Sequence, residues 1–223
     1  MEKQKINISK LMYILSGVLA IAFILLIVLL KTVDVEMVIL TGKEIGLASL
    51  NKSIFNKFGV NDFWYNLTEV FGYISLATVA YFGVLGLIQL IKRKSIKAVD
   101  KDIIIYGLFV GLIIIFYAIF EVIPINYRPI FLEGSLEAES SFPSSHTFLT
   151  LAIMGMSIIE IKNKIKNKYL KWCLITFCFI ISLLTVIGRL LSGVHWFTDI
   201  LGGVFLACSL VTLFYGLIKK LIK

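Results

Sequence analysis

The chain contains only two histidines, and each stands beside polar residues at the edge of an apolar run. His146 follows a proline and two serines in the segment SFPSSHTFLT. His195 precedes Asp199 by four residues, a separation that puts both side chains on one face of a helix. A carboxylate there can hold the proton of one ring nitrogen and leave the other free to attack an electrophile. The same pair also occurs as a polar cap at the end of an interfacial helix, so it does not by itself establish catalysis.

Two arginines and a helix start add groups that bind an anion. Arg128 and Arg189 lie at the edges of apolar runs, where an arginine is costly and normally marks a function or a fixed partner. The planar guanidinium group matches the oxygens of a phosphate. Ser144 and Ser145 lead into a predicted helix, whose free N–H groups and positive dipole end also favour an anion. We therefore expect phosphoryl transfer, in which one histidine attacks phosphorus and the other protonates the departing oxygen.

The carboxylates are not grouped in a way that predicts a metal site. Glu133, Glu137 and Glu139 alternate along one loop, a pattern typical of a solvated surface. The three cysteines have no metal-ligand spacing. We therefore expect chemistry that needs no metal ion.

The residues above must be positioned by a membrane domain. Of the 223 residues, 59% are hydrophobic and only 16% are charged, whereas charged residues make up about 25% of an average globular chain. A helix that crosses a bilayer needs roughly 20 apolar residues. We predict an all-α membrane protein, with one domain over residues 1–223 built from six transmembrane helices in a bundle. The predicted spans cover residues 11–30, 70–91, 103–120, 147–161, 172–187 and 196–218.

The basic residues are distributed unevenly between the two sides of the predicted bundle. With both termini in the cytoplasm, 16 of the 22 Lys and Arg residues fall on the cytoplasmic side. Short loops rich in Lys and Arg stay cytoplasmic, which supports this orientation in the cell membrane. The lysine clusters then face anionic lipid headgroups, so the net charge of +8 does not indicate nucleic-acid binding. Both histidines, together with Arg128 and Arg189, fall on the extracytoplasmic side.

The longest segment between predicted spans, residues 31–69, follows a first span that we expect to remain uncleaved. Leu47, Leu50, Ile54 and Phe58 recur within it at nearly helical spacing. This pattern predicts either a short helix in the membrane interface or a helix packed across the mouth of the bundle.

Three motifs in the chain resemble the signatures of the type 2 phosphatidic acid phosphatase family. They are Arg128-Pro129, Pro143-Ser144-Ser145-His146 and Gly188-Arg189-x5-His195-x3-Asp199. The family patterns are Lys-x6-Arg-Pro, Pro-Ser-Gly-His and Ser-Arg-x5-His-x3-Asp. Order, spacing and position relative to the predicted spans agree, and the resemblance covers roughly residues 70–218.

The resemblance implies a role for each matching residue. His195 is implied as the nucleophile that forms a phosphohistidine, Asp199 as its orienting partner, and His146 as the general acid for the leaving group. Family members need neither a metal ion nor an organic cofactor. The phosphate ligands that the resemblance implies are Arg128, Arg189, Ser144 and the backbone N–H groups around Ser145.

Three positions depart from the family pattern. Ser145 replaces glycine but keeps the backbone N–H, and Gly188 replaces serine with the loss of only a hydroxyl. Glu121 stands where the family has a phosphate-binding lysine, and no lysine occurs between Lys101 and Lys162. Either Glu121 turns away from the phosphate, or the site has altered specificity or reduced activity.

The expected function is that of an integral membrane phosphatase acting on a lipid phosphate or lipid diphosphate at the outer membrane face. Phosphatidic acid, phosphatidylglycerol phosphate and a polyprenyl diphosphate such as undecaprenyl diphosphate all present a terminal phosphate at the interface. An outer-facing site favours the polyprenyl diphosphate. Two alternatives stay open: a phosphotransferase that uses an alcohol as acceptor, and a catalytically weakened homologue that binds or transports lipid.

Overall fold

The computed structural model describes residues 7–132 and 134–221. Lys3, Lys5 and Lys223 of the predicted cytoplasmic clusters, and Glu133 of the acidic loop, lie outside the described residues. The described residues form seven α-helices, one two-stranded hairpin and a 3₁₀ turn at Ile96–Ala98. In chain order the elements are α1 (Ile8–Thr32), β1 (Glu36–Val38), β2 (Lys43–Ile45), α2 (Ala48–Phe58), α3 (Asp62–Arg93), α4 (Lys101–Val122), α5 (Ser145–Lys164), α6 (Lys168–Ser192) and α7 (Phe197–Leu221).

Short polar residues and glycines set the ends of several helices. Asn7, Asn61 and Asn167 precede α1, α3 and α6, and each side-chain oxygen accepts the backbone N–H three residues further on. Gly59 and Gly193 follow α2 and α6 with positive φ angles of 66° and 68°. A glycine reaches this left-handed region without the steric cost that a Cβ would add, so each helix can stop there.

Five of the described helices, α1, α3, α4, α6 and α7, are long and apolar enough to cross a membrane. The predicted fourth span corresponds to α5, which is not among these five because polar residues such as His146, Glu160 and Lys162 stand near its ends. A membrane crossing by α5 therefore stays a prediction. Most of α5 is buried among α3, α6 and α7. The fold is that of a multi-pass membrane protein.

The interior of the bundle is filled by apolar and aromatic side chains. Tyr106 and Phe109 of α4 pack edge-on against Phe214 of α7, with ring centroids 6.2 and 5.3 Å apart. The N-terminal ends of α5 and α7 come together at Gly203, where an added Cβ would lie 3.0 Å from Cβ of Thr147. The missing side chain thus lets α7 approach α5 closely at the end of the bundle where both histidines lie.

The segment between α1 and α3 packs on the same end of the bundle. The predicted helix in this segment is present as α2. The amide of buried Asn51 donates to Oγ1 of Thr198 at 3.0 Å and accepts the Thr198 N–H at 3.2 Å. The Phe55 ring lies 5.6 Å from the ring of Trp196. These contacts are those of a helix packed across the mouth of the bundle, and its location in the membrane interface stays a prediction.

The hairpin is a departure from the all-α prediction. Its strands pair antiparallel, with Glu36 opposite Ile45 and Val38 opposite Lys43. Gly42 turns the chain between them with a φ of 63°. Strands of three residues are too short to give the alternating pattern by which a strand is recognised, so the sequence did not predict them.

Candidate active site

One end of the bundle contains a polar cavity of about 200 Å³. The end of α4, the start of α5 and the loop before α7 meet there, together with the connection between α4 and α5. The structure thereby brings both histidines and Arg128 to one cavity, although they are far apart in the sequence. Its polar lining comprises Glu121, Arg128, Glu139, Ser140, Ser141, Ser145, His146 and His195.

His195 lies in the loop between α6 and α7 and is only 4% exposed. Its Nδ1 atom lies 3.1 Å from the carbonyl oxygen of Ser141. A carbonyl oxygen can only accept, so Nδ1 carries the proton and Nε2 keeps its lone pair. Nη1 of Arg128 lies 3.4 Å from Nε2 on the other side of the ring. Burial and the nearby guanidinium group of Arg128 hold the pKa of His195 well below its usual value of 6.5, so the ring is neutral at pH 7.

Asp199 does not form a hydrogen bond with His195, in contrast to the expectation that it orients the ring directly. Its nearest carboxylate oxygen lies 3.9 Å from Nδ1 of His195, beyond hydrogen-bond distance. The carboxylate accepts instead from the backbone N–H of Trp196 at 2.9 Å and from Nδ2 of Asn126 at 3.1 Å. Asp199 is the third residue of α7, and a carboxylate at this position often accepts the N–H of the residue that caps the helix. It therefore fixes the turn that follows His195.

The connection between α4 and α5 folds back on itself and carries Arg128 to the cavity. The backbone N–H of Arg128 donates to the carbonyl of Glu139 at 3.1 Å, and the N–H of Ser141 donates to the carbonyl of Asn126 at 3.0 Å. Nη1 of Arg128 also donates to the carbonyl of Val194 at 3.2 Å, and Nε lies 3.2 Å from the Glu139 carboxylate. These bonds tie the Arg128 side chain to the His195 loop.

Arg189 and His146 are joined by a carboxylate that the sequence analysis did not select. Nη2 of Arg189 donates to Oε1 of Glu69 at 2.6 Å, and Nε2 of His146 lies 3.1 Å from the same oxygen. Arg189 is only 1% exposed, and its guanidinium carbon lies 5.3 Å from the ring centroid of Tyr65. Glu69 therefore links one candidate phosphate ligand to the candidate general acid.

The two serines before His146 differ in position. Ser144 is fully buried, its N–H donates to the carbonyl of Asp199 at 2.9 Å, and its Oγ accepts from Oγ1 of Thr147 at 3.1 Å. Ser145 lines the cavity and is the first residue of α5. The first N–H groups of a helix have no partner within the helix, so those of α5 can bind an anion there. Ser145 and the backbone beside it fit the role of phosphate ligand, whereas the contacts of Ser144 fit a structural one.

Comparison with known proteins agrees with the motifs on which the resemblance rested. Residues 120–223 match the family model described as the PAP2 superfamily. This matched region contains Arg128, both histidines and Asp199. The fold is similar to the crystal structure of a transmembrane PAP2 type phosphatidylglycerolphosphate phosphatase from Bacillus subtilis, with 21% sequence identity and a TM-score of 0.64 over 92% of this chain and 96% of that one. No curated protein sequence matches the chain significantly. The resemblance to the type 2 phosphatidic acid phosphatase family is thus confirmed.

Glu121 stands at the position of the signature lysine in the type 2 phosphatidic acid phosphatase pattern. It lies in the last turn of α4 and lines the same cavity as Arg128. The carboxylate that pairs with Arg128 is that of Glu139. A phosphate entering this cavity therefore meets an acid where the family pattern has a cation.

Metal chemistry was not expected from the sequence. Among the described residues, no group of three or more His, Cys, Asp or Glu side chains is arranged to hold a metal ion.

Three residues of the site escaped the sequence analysis. The contribution of Ser141 comes from its backbone carbonyl, for which side-chain identity gives no signal. Asn126 stands two residues before Arg128, and only its contact with Asp199 reveals a role. Glu69 is an acid at the edge of a predicted span, and the rule that such residues mark function or a fixed partner could have found it.

Proposed function

We propose that the protein is a membrane phosphatase that hydrolyses a lipid phosphate or lipid diphosphate through a phosphohistidine on His195. The observation that carries the proposal is the state of the His195 ring. Ser141 holds the proton on Nδ1, so Nε2 keeps its lone pair, which faces Nη1 of Arg128 at 3.4 Å in a cavity that His146 also lines. A nucleophile needs that lone pair, and a general acid must stand close to the leaving oxygen.

The first step transfers the phosphoryl group to the enzyme. Nε2 of His195 uses its lone pair to bond phosphorus, while the bond between phosphorus and the lipid oxygen breaks. A proton from His146 moves to that oxygen, so the lipid alcohol, or the lipid monophosphate from a diphosphate, leaves with its oxygen protonated. Arg128 and the N–H groups at the start of α5 stabilise the negative charge on the remaining phosphoryl oxygens.

The second step restores the enzyme. A water molecule gives a proton to His146 and attacks phosphorus. The bond between phosphorus and Nε2 breaks, its electron pair returns to the His195 ring, and inorganic phosphate leaves. An alcohol in the place of water would give the phosphotransferase, so the two reactions differ only in the acceptor.

The substrate class follows from the surroundings of the cavity. The cavity opens at one end of a bundle of apolar helices, where a lipid can present its headgroup while its tail stays in the bilayer. The lysines of the described loops concentrate at the other end, which favours an extracytoplasmic site by the rule that short basic loops stay in the cytoplasm. Phosphatidylglycerol phosphate, phosphatidic acid and undecaprenyl diphosphate are therefore the substrates to compare.

The test is phosphate release by the purified full-length protein in detergent micelles. Each of the three lipids is supplied separately, with and without a chelator of divalent metals. We expect release from at least one lipid in the presence of the chelator, and loss of release in His195→Gln. Release that persists undiminished in this variant would overturn the proposed mechanism.

A second candidate is a homologue that binds lipid phosphate with little turnover, and Glu121 is the observation that favours it. A carboxylate lining the cavity opposes the binding of a phosphate. The two candidates separate on the covalent intermediate, since a protein that only binds lipid forms no phosphohistidine.

A further inference from the structure

Glu69 lies on α3, outside the three signature motifs, yet it contacts two residues of the proposed site. Its Oε1 atom is 3.1 Å from Nε2 of His146 and 2.6 Å from Nη2 of Arg189. The Glu69 side chain is 29% exposed, whereas that of Arg189 is almost completely buried. A carboxylate that meets an imidazole and a guanidinium group at these distances is held in one position by both.

The packing of α3 against α6 depends on the residue that precedes Arg189. An added Cβ at Gly188 would lie 2.6 Å from Cγ2 of Thr68, so a side chain there would push the two helices apart. Thr68 is itself held by hydrogen bonds from its hydroxyl to the carbonyls of Trp64 and Tyr65 at 2.9 Å. The family pattern has serine where this chain has Gly188. The glycine therefore lets α3 approach far enough for Glu69 to reach Arg189.

The two histidines are held at opposite ring nitrogens. His195 is held at Nδ1 by Ser141, and its Nε2 serves the reaction. His146 is held at Nε2 by Glu69, and its Nδ1 is a buried atom with no hydrogen-bond partner among the described residues. A buried polar atom normally has a partner, and a bound substrate can supply one. Nδ1 of His146 is thus the ring nitrogen that has no partner among the described residues.

We propose that Glu69 is the positioning residue for His146, a role that rests on the phosphatase function proposed above. Its carboxylate pairs with the N–H at Nε2, fixes the ring orientation and favours the protonated imidazole, whose other proton, on Nδ1, goes to the leaving oxygen. In other sites, a carboxylate that pairs with the ring nitrogen on the far side from the reaction orients a histidine in this way. Glu69 does not touch the substrate phosphate in this role.

Other charged and titratable groups near His146 also affect its protonation. Glu69 must offset those that disfavour the protonated ring. Burial of the ring disfavours its protonated form, as do the charges of Arg189 on α6 and Arg128 in the loop. Glu69 is the one described acidic side chain that forms an ion pair with His146. The groups around the ring are Glu69 of α3, Arg189 of α6, Arg128, Glu139 and His195 of the loops, and Glu121 at the end of α4.

The alternative role for Glu69 is that of a resident anion. In that case the carboxylate occupies Arg189 until a substrate phosphate displaces it, and it competes with the substrate. The two roles predict opposite effects of neutralisation. Glu69→Gln lowers turnover if Glu69 positions His146, and it lowers KM or raises turnover if Glu69 competes with phosphate.

The experiment compares Glu69→Gln with wild type on two substrates that differ in their need for a general acid. The lipid phosphate releases an alcohol, which must be protonated as it leaves, whereas para-nitrophenyl phosphate releases an acidic phenol that leaves without a proton. We expect kcat for the lipid to fall about 100-fold, within the range for loss of general acid catalysis. We expect kcat for para-nitrophenyl phosphate to fall less than about threefold, because that step needs no acid.

A matched control is Glu36→Gln, which breaks the ion pair between Glu36 and Lys52 in the outer segment. It should leave both rates unchanged. Glu69→Asp retains the charge and should keep more of the lipid activity than Glu69→Gln. Thermal unfolding of each variant in the same detergent shows whether it is folded. Equal losses on both substrates, or a gain on the lipid, would overturn the inference.

Titration of His146 separates this inference from the proposed function. The chain has two histidines, so NMR of protein labelled at histidine carbons gives two resonances, which His195→Gln assigns. We expect His146 to titrate at lower pH in Glu69→Gln than in wild type, because the stabilising carboxylate is lost. The same midpoint in both proteins would refute the pairing, whether or not the enzyme turns over. Wild-type protein inactive on both substrates would refute the proposed function, while a shifted midpoint would still establish the pair.

Discussion

The carbonyl oxygen of Ser141 and Nδ1 of His195 lie 3.1 Å apart, and this contact fixes the tautomer of the candidate nucleophile. The residues are 54 positions apart in the chain. They meet because Ser141 donates its N–H to the carbonyl of Asn126, while the Asn126 side chain donates to Asp199 just beyond His195. The orienting group is thus a backbone carbonyl, and the carboxylate four residues after His195 supports it from a distance.

The protonation state of His195 leads to a prediction about acid pH. Burial and Arg128 hold the pKa of His195 well below 6.5, so Nε2 keeps its lone pair as the pH falls through 6.5. In Arg128→Gln the opposing cation is lost, and the pKa should rise towards its usual value. We expect the His195 resonance in an NMR titration to have its midpoint well below pH 6.5 in wild type and at higher pH in Arg128→Gln. A wild-type midpoint at or above 6.5 would contradict the description of the site.

The contact between Asp199 and Asn126 predicts an exchange that restores function. In Asp199→Asn, two amide groups face each other and one of the bonds to Trp196 N–H or to Asn126 is lost, at about 1–3 kcal/mol of stability. The double variant Asn126→Asp with Asp199→Asn has one donor and one acceptor again. We expect phosphate release and the unfolding temperature to fall in each single variant and to recover in part in the double variant. A double variant with additive losses would show that the carboxylate is needed at position 199 itself.

The position of Glu121 at the cavity leads to a predicted gain of function on substitution by lysine. Glu121→Lys restores the cation of the family pattern and removes an acid that opposes phosphate binding. We expect kcat/KM on a lipid phosphate to rise about tenfold, which corresponds to about 1.4 kcal/mol. The matched control is Glu137→Lys, at an exposed position in the connection between α4 and α5 that does not line the cavity. An unchanged or lower kcat/KM in Glu121→Lys alone would show that the glutamate has a role of its own.

Much of the fold could be predicted from the sequence because long apolar runs leave few alternatives in a membrane. The helices over the six predicted spans and α2 follow such patterns, whereas the hairpin at Glu36–Val38 and Lys43–Ile45 is too short to show one. The fourth predicted span is a helix with polar residues near both ends, and its crossing of the membrane stays a prediction.

The candidate site was predictable to the extent that side-chain identity carries its chemistry. His146, His195 and Arg128 have few structural uses at the edge of an apolar run, and they do meet at one cavity. The partners of these residues depend on tertiary contacts. The Ser141 carbonyl, the Asn126 amide and the Glu69 carboxylate reach the site from segments whose positions follow only from the packed structure.

The most direct test of the account is detection of the covalent intermediate. Purified protein is mixed with a lipid phosphate labelled with ³²P, and the reaction is quenched in alkali within milliseconds. Phosphohistidine survives in alkali, whereas acyl phosphates do not. We predict labelled wild-type protein and unlabelled His195→Gln, with label accumulating when the second step is slowed by low water activity. Phosphate release by wild type with no labelled protein, or equal labelling of His195→Gln, would contradict the assignment of His195 as the nucleophile.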